Sequence, residues 1–187
     1  AWDAAEAVLA VKSVLVDLND AAATLPNSYN SVENITPLET PLSSTINGAA
    51  LATPVFLSLY AENDLRLDKY FAETDEKGFR KNKKAGSNNY LCTFRVGEIY
   101  LTAAEAAARL GELSQARTRL LELMRKRYAP EAYEAKSVVV NAMDKEALVQ
   151  EILDERAREL AFEGHRWFDL RRSTRPRLEK VLDGTRY

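Results

Sequence analysis

The chain has 187 residues, 46% of them hydrophobic and 29% charged, which suits one globular domain with a core or two small ones. Its net charge of −2 argues against a protein that binds nucleic acid mainly by neutralising phosphates. A single cysteine, Cys92, excludes an intrachain disulfide and a thiolate metal cluster. No apolar run approaches the roughly 20 residues of a membrane-spanning helix. Because the sequence starts with neither Met nor a signal-peptide pattern, we expect a processed or excised piece.

The first half of the sequence predicts one helix followed by mostly irregular segments. Apolar side chains three and four residues apart predict an amphipathic helix that Pro26 ends, with its stripe at Val8, Val11, Leu15, Leu18, Ala22 and Leu25. Residues 26–54 are rich in Pro, Ser, Thr and Asn, which favours a loop, and a shorter apolar element follows at 55–71. The polar segment 73–89 is typical of a solvated loop or hairpin, with a ligand-contacting loop as the alternative.

A helical hairpin is predicted from Phe94 onwards. One helix ends at Gly111, and a second, LSQARTRLLELMRKRY, begins after a very short turn. The spacing from Gly111 to Ala116 is typical of a tetratricopeptide-type hairpin, and small residues allow close packing, at Ala103, Ala104 and Ala107. Only one such hairpin is recognisable, whereas a solenoid normally needs about three. We therefore expect either degenerate repeats or missing partners.

A third helix is predicted from Asp144, whose side chain can cap the first amide groups, through residue 172. One continuous apolar face runs along it, formed by Val149, Ile152, Leu153, Ala157, Leu160, Ala161, Gly164, Trp167 and Phe168. Gly164 would let another backbone approach closely or let the helix bend. No region is dominated by strands, so the fold class is mainly α. We divide a single domain into 1–93, a helix with a loop-rich segment, and 94–187, the hairpin and long helix.

The stretch 155–172, ERARELAFEGHRWFDLRR, holds four acids, five arginines and the only histidine of the chain. Glu155, Glu159 and Glu163 stand four residues apart, and exposed like charges at that spacing cost a few tenths of a kcal/mol per pair. Arg156 and Arg158 lie on the same turns as these acids and can neutralise them. Arg166 follows Glu163 by three residues, and Asp169 follows Arg166 by three. We interpret the stretch as an internal set of ion pairs that stabilises the fold.

The residues argue against the functional alternatives for this stretch. A di-iron bundle needs a Glu-x-x-His pair on each of two helices, and a zinc protease needs two histidines, whereas His165 is alone. Glycosidases need two carboxylates facing each other across a cleft, whereas these lie along one helix. A nucleic-acid-binding helix would carry arginines without matched acids.

Two spaced motifs resemble the C-terminal signature of the SusD/RagB family, lipid-anchored glycan-binding proteins on the outer membranes of Bacteroidetes. The first motif matches Arg95, Glu98, Tyr100, Leu101, Ala104, Glu105 and Ala106. The second matches Glu155, Arg156, Glu159, Leu160, Glu163, Gly164, Arg166, Trp167, Asp169 and Leu170. Weaker similarity lies at Asp64-Leu65-Arg66 and Leu25-Pro26. Family members are considerably longer and begin with a lipidated cysteine, so the resemblance implies a C-terminal portion or a shortened member.

The resemblance implies tetratricopeptide-like hairpins packed with a loop-rich region, an α/α superhelix. It implies a non-catalytic protein without cofactor or metal that captures oligosaccharides or polysaccharides for nutrient uptake. The partner would be a SusC-like TonB-dependent transporter, and the location would be the outer membrane, facing the exterior. Contact with the membrane would be made only through a lipid anchor absent from this chain, and nucleic acid would not bind. The alternative is a helical-repeat scaffold that binds another protein.

Sugar capture would need an exposed aromatic ring to stack on a pyranose face, with amide or guanidinium groups for the hydroxyls. The family motifs do not fix these positions. The candidates, preferred to Trp167, are Trp2, Tyr29, Tyr90, Tyr128, Tyr133 and Tyr187. Each of these side chains is more often a core or incidental surface residue than a ligand contact. The charged stretch would then be scaffold.

Overall fold

The computed structural model describes residues 1–28, 30–38, 51–84, 91–173, 175–176, 181–182 and 185–186. Its helices are α1 Trp2–Val11, α2 Pro54–Leu57, α3 Arg66–Tyr70, α4 Val96–Leu110, α5 Leu113–Met124, α6 Pro130–Ala142, α7 Lys145–Glu159 and α8 Arg166–Arg172. The strands are β1 Asn34–Leu38, β2 Leu51–Ala52, β3 Phe71–Thr74, β4 Arg80–Asn82, β5 Leu91–Arg95, β6 Val181–Leu182 and β7 Thr185–Arg186. Helix dominates, which confirms the mainly-α prediction. Within the described ranges, no helix is both long and apolar enough to span a lipid bilayer.

The hairpin of α4 and α5 forms the centre of the fold, as the sequence predicts. Gly111 ends α4 with a left-handed φ of 90°, and the Glu112 N–H donates to the carbonyl of Ala107 at 2.9 Å. The small side chains at the interface are all completely buried, namely Ala103, Ala104, Ala107 and Ala116. Helices α1 and α7 pack against α4, so the core lies on both sides of the hairpin. The helix starts at Val96, two residues after the predicted Phe94.

Helix α6 has no counterpart in the sequence prediction. Pro130 occupies its first turn, where a missing N–H costs nothing. Only Val140 is buried among its 13 residues, while Val138 is 70% exposed. A helix with so little buried surface leaves no clear apolar stripe, which is why periodicity does not reveal it.

The predicted helix up to Pro26 ends at Val11 instead, and Lys12 is already extended. The backbone beyond it bonds to distant parts of the chain. The Val16 N–H donates to Glu33 Oε1 at 2.9 Å, and the Val16 carbonyl accepts from Arg127 Nη1 at 2.5 Å. These long-range bonds replace the helical ones, although Leu18 of the predicted stripe is indeed buried.

The predicted long third helix is two helices, α7 and α8, separated by a turn. Asp144 caps α7 as predicted, accepting from the Ala147 N–H at 2.9 Å. Phe162 and Gly164 adopt left-handed conformations, with φ of 63° and 86°, in the turn between the two helices. A Cβ atom at Gly164 would meet nothing within 4 Å, so the predicted close backbone approach is wrong and the glycine serves conformation alone.

Short antiparallel strands occupy part of the predicted loop regions. Strand β1 pairs with β5, and a second sheet has the order β2-β4-β3. In its described part, the polar segment 73–89 is a hairpin of β3 and β4, one of the two forms of the solvated segment that the sequence predicts, and Gly78 in its turn has a φ of 82°. The division of the chain at residue 93 stays a prediction.

Candidate functional site

A cluster of buried charged side chains joins distant parts of the chain. Its acids are Glu33, Asp64, Glu155, Glu159 and Glu163, and its bases are Arg66, Lys84, Arg95, Arg127 and Arg158. We call this set the buried ion-pair cluster. No side chain in it is more than 4% exposed. Since acids and bases are equal in number, the buried charges are balanced.

Glu159 is the centre of the cluster, at the last turn of α7. Its carboxylate lies 3.1 Å from Arg66 Nη1, 2.6 Å from Arg95 Nη1 and 2.9 Å from Arg127 Nε. Glu33 completes the group from the segment before β1, at 3.0 Å from Arg95 and 2.5 Å from Arg127. Three arginines from three parts of the chain therefore meet at Glu159, and two of them, Arg95 and Arg127, also bind Glu33.

Glu155 and Glu163 bind the outer sides of the arginines that surround Glu159. Glu155 accepts from Arg66 Nη1 at 2.7 Å and forms an ion pair with Arg158 at the same distance. Glu163 lies 2.9 Å from Arg95 Nη2 and also pairs with Lys84. Lys84 therefore lies inside the fold, so the solvated setting predicted for the basic residues of its segment is wrong for this one.

The neighbouring arginines favour the ionised form of Glu155 and Glu159. Burial by itself would raise the pKa of Glu155, but Arg66 and Arg158 lower it to about 2. The same opposition, with Arg127 and Arg95 foremost, holds the pKa of Glu159 well below its usual range. Burial lowers the pKa of Lys84 to about 8 even beside Glu163. A carboxylic acid that donates protons at neutral pH needs a raised pKa and access to substrate. Glu155 and Glu159 have neither, so we interpret the cluster as structural.

The predicted charged residues divide between the cluster and a neighbouring set. Arg156 pairs with Asp169 at 3.1 Å, and Glu105 binds Arg172 at 2.7 Å and Arg109. Glu98 lies 3.5 Å from His165. Arg166 is wrongly predicted as a member, because it is exposed and pairs with no acid in the described part of the chain.

The sequence misses three members of the cluster: Glu33, Lys84 and Arg127. Glu33 lies in a segment without periodicity, and Arg127 ends a basic run that is typical of an exposed helix end. Only the tertiary fold brings them to Glu159.

An open groove of about 870 Å³ lies between residues 13–19, α4, the end of α5 and the start of α6. Its lining combines two aromatic rings with polar groups and consists of Ser13, Val14, Leu15, Asp17, Asn19, Tyr100, Glu122, Arg125, Lys126, Pro130, Tyr133 and Glu134. The Arg125 guanidinium carbon lies 6.0 Å from the centre of the Tyr133 ring, and Lys126 pairs with Asp17 at 2.8 Å. Such a surface can both stack against a ring and exchange hydrogen bonds.

The structure separates the aromatic candidates. Tyr133 lies in the groove, half-buried, whereas Trp2 is packed partly against the core beside a small cleft. Tyr128 is 1% exposed and its hydroxyl donates to Glu155, so its prediction as a sugar contact is wrong. Trp167, the least favoured aromatic candidate, is 55% exposed. Neither Trp167 nor Phe168, which is also exposed, continues the predicted apolar face. The other candidates lie outside the described residues, namely Tyr29, Tyr90 and Tyr187.

The family model for the SusD family matches residues 49–181. The chain belongs to the SusD family. This family match includes both spaced motifs and the whole of α4 to α8. No curated protein matches the chain. Among the described residues, no group of three or more His, Cys, Asp or Glu side chains is placed to hold a metal ion.

Solved structures of SusD proteins share the fold. The chain is similar to a SusD superfamily protein from Bacteroides thetaiotaomicron VPI-5482, with a TM-score of 0.65 and 20% identity over 90% of this chain and 44% of that one. It is also similar to a SusD-like carbohydrate binding protein from Bacteroides vulgatus ATCC 8482, with a TM-score of 0.67 and 19% identity over 98% of this chain and 45% of that one. The chain spans less than half the length of each.

Proposed function

We propose that this chain binds glycans without turnover as part of a cell-surface nutrient-uptake complex, and that the groove holds the glycan. Membership of the SusD family supports the proposal, as does the similar Bacteroides vulgatus protein described as carbohydrate binding. The observation that carries it is the lining of the groove, where Tyr133 lies among amide, guanidinium and carboxylate groups.

The groove offers the chemistry that a pyranose needs. The Tyr133 ring can stack on the C–H face of a sugar. Asn19, Arg125 and Glu134 supply donors and acceptors for hydroxyl groups around that ring. Arg125 and Glu134 pair with no opposite charge in the described part of the chain, so both are available to a ligand.

The charges of the groove support binding rather than hydrolysis. A glycosidase needs one carboxyl that is protonated at neutral pH. Burial opposes the ionisation of Asp17, but the hydrogen bonds from Lys126 and Asn19 together outweigh it and lower the pKa of Asp17. Glu122 pairs with Arg119 at 2.8 Å. We therefore expect no turnover of the bound glycan.

The partner and the location follow from family membership as proposals. The partner is a SusC-like TonB-dependent transporter, and the protein lies at the outer membrane, facing the exterior and held by a lipid anchor. Co-purification with such a transporter from outer-membrane extracts tests the first. Surface labelling of intact cells tests the second, and a protein that stays unlabelled would contradict it.

The glycan proposal is tested by calorimetry with a panel of neutral oligosaccharides on the purified chain. We expect saturable binding, no breakdown products, and at least about a tenfold loss of affinity in Tyr133→Ala, or 1.4 kcal/mol. Tyr133→Phe keeps the ring and is the matched control, with affinity close to the original. Equal binding by Tyr133→Ala would place the glycan elsewhere. If none of the oligosaccharides bound measurably and a peptide did, the result would favour the helical-repeat scaffold.

A further inference from the structure

Helix α8 presents two aromatic side chains to solvent. Trp167 is 55% exposed and Phe168 is 67% exposed, the highest fraction for any aromatic ring described. At about 100° per residue, Trp167, Phe168 and Arg171 fall within one arc of about 100° on the helix. Asp169 lies on the other side, buried and paired with Arg156. The exposed arc is therefore a defined face, fixed by ion pairs behind it.

Unneutralised positive charge surrounds these rings. Arg166, Arg171 and Arg175 are exposed and pair with no acid in the described ranges, whereas Arg172 is neutralised by Glu105 and Asp169. Arg175 is held close by, since its Nε donates to the Arg171 carbonyl at 2.9 Å. Among the described residues, three positive charges without an acidic partner thus accumulate on this face, on a chain whose net charge is −2. This local excess of positive charge attracts anionic ligands.

The geometry combines a stacking ring with an anion-binding group. The Arg171 guanidinium carbon lies 5.9 Å from the centre of the Trp167 ring, so the cation is positioned beside the indole. A guanidinium binds a carboxylate or sulfate through two parallel hydrogen bonds. Arg166 lines a cleft of about 210 Å³ next to this face, with Phe56 and Phe162 among its walls. An anion there would meet less competing water than on an open surface.

We propose that this α8 face, formed by Arg166, Trp167, Phe168, Arg171 and Arg175, binds an anionic saccharide that carries uronate or sulfate groups. The indole stacks on a pyranose ring while Arg171 binds the acidic substituent. The choice of a saccharide rests on the proposed function, but the face shares no lining residue with the groove. Two rings give too little apolar area for stable membrane insertion, which favours a stacked sugar over a lipid surface.

Calorimetry on the full chain with an oligogalacturonate and a sulfated oligosaccharide tests this assignment, with a neutral malto-oligosaccharide as reference. At about 20 mM salt we expect the anionic ligands to bind this face, with affinity falling as salt rises. Trp167→Ala and Arg171→Gln should each weaken that binding by about fivefold or more. Lys77→Gln is the control, because it removes a positive charge from the exposed turn between β3 and β4, outside both the groove and the α8 face, and it should leave this binding unchanged. All three altered side chains are exposed, so circular dichroism should show an intact fold.

The outcomes distinguish this site from the groove. Loss of anionic binding in Trp167→Ala but not in Tyr133→Ala would establish a separate site, even if neutral glycans fail to bind at all. Undiminished binding in both α8 variants would overturn the assignment. The assignment would also be overturned if neither acidic saccharide bound but phosphatidylglycerol vesicles bound in a way that depends on Trp167. The face would then recognise a membrane surface.

Discussion

Single residues of the buried ion-pair cluster carry large electrostatic consequences. Glu159 is shared by Arg66, Arg95 and Arg127, and all four side chains have no exposed surface. A buried charge that loses its partner remains desolvated and uncompensated, and removing one partner typically costs about 3–5 kcal/mol. The cluster therefore affects the free energy of unfolding mainly through the cost of removing one partner, and less through any net stabilisation by the intact ion pairs.

Glu159→Gln should lower the free energy of unfolding by about 3–5 kcal/mol, because the amide removes one negative charge and turns an N–H₂ group towards arginines. Urea denaturation followed by circular dichroism measures the change. Glu122→Gln is the matched control, since it removes the same charge from a partly exposed pair with Arg119 and should cost less than about 1 kcal/mol. Similar losses in the two variants would contradict the assigned role of the cluster.

Gly97→Ala should destabilise the chain, although alanine is the better helix former. A Cβ atom there would lie 2.6 Å from Arg95 Nη1, 3.0 Å from Glu33 Oε2 and 3.1 Å from Glu159 Oε1. These atoms are held by their own ion pairs, so they cannot move aside without loss. We expect a net cost of about 1–3 kcal/mol in the unfolding free energy. A gain, as alanine gives in an open helix, would show that the cluster adapts freely.

At the scale of elements, the sequence predicts those helices whose ends and buried faces are determined by neighbouring residues. Helices α4 and α5 carry strong periodicity and small residues, and both are found where predicted. Helix α6 is missed because it buries only Val140 fully. Helix α1 is predicted too long because the backbone near Val16 bonds to Glu33 and Arg127, which no local pattern can reveal.

The turn between α7 and α8 depends on Gly164 for its left-handed φ of 86°. Gly164→Ala should therefore cost about 1–2 kcal/mol, the price of that conformation for a residue with a Cβ atom. Gly164→Asn should cost less than alanine, because asparagine tolerates this conformation better. Thermal unfolding of the two variants gives the order. If asparagine, the larger side chain, cost more, then close packing rather than conformation would explain the glycine.

At the scale of the whole molecule, the buried ion-pair cluster connects regions that are distant in sequence. The second motif alone supplies Glu155, Glu159 and Glu163, and the first supplies Arg95, so sequence reasoning identifies this half of the site. In the other half, Asp64 and Arg66 show only weak family similarity, and Glu33, Lys84 and Arg127 come from segments without a motif. These residues meet only when the fold forms, which is why their roles could not be predicted.

This connection should make acid unfolding cooperative. The pKa of Glu155 falls from 4.5 to about 2 on folding, and the pKa values of Glu159 and Glu163 also fall. Below pH 4.5 the unfolded chain therefore binds more protons than the folded one, and stability is lost as pH falls from about 4.5 to about 2. For Glu155 alone the loss is on the order of 3 kcal/mol.

Urea denaturation between pH 7 and pH 2 measures this loss, with far-ultraviolet circular dichroism and tryptophan fluorescence followed together. Because the cluster binds the N-terminal segment, β5 and α7 to one another, we expect both signals to change at the same urea concentration at every pH. Glu159→Gln should show a shallower dependence on pH, since one of the shifted carboxyls is gone. Separate transitions for the two signals would mean that the regions unfold independently. Stability that stays constant down to pH 2 would mean that the carboxylates do not carry it.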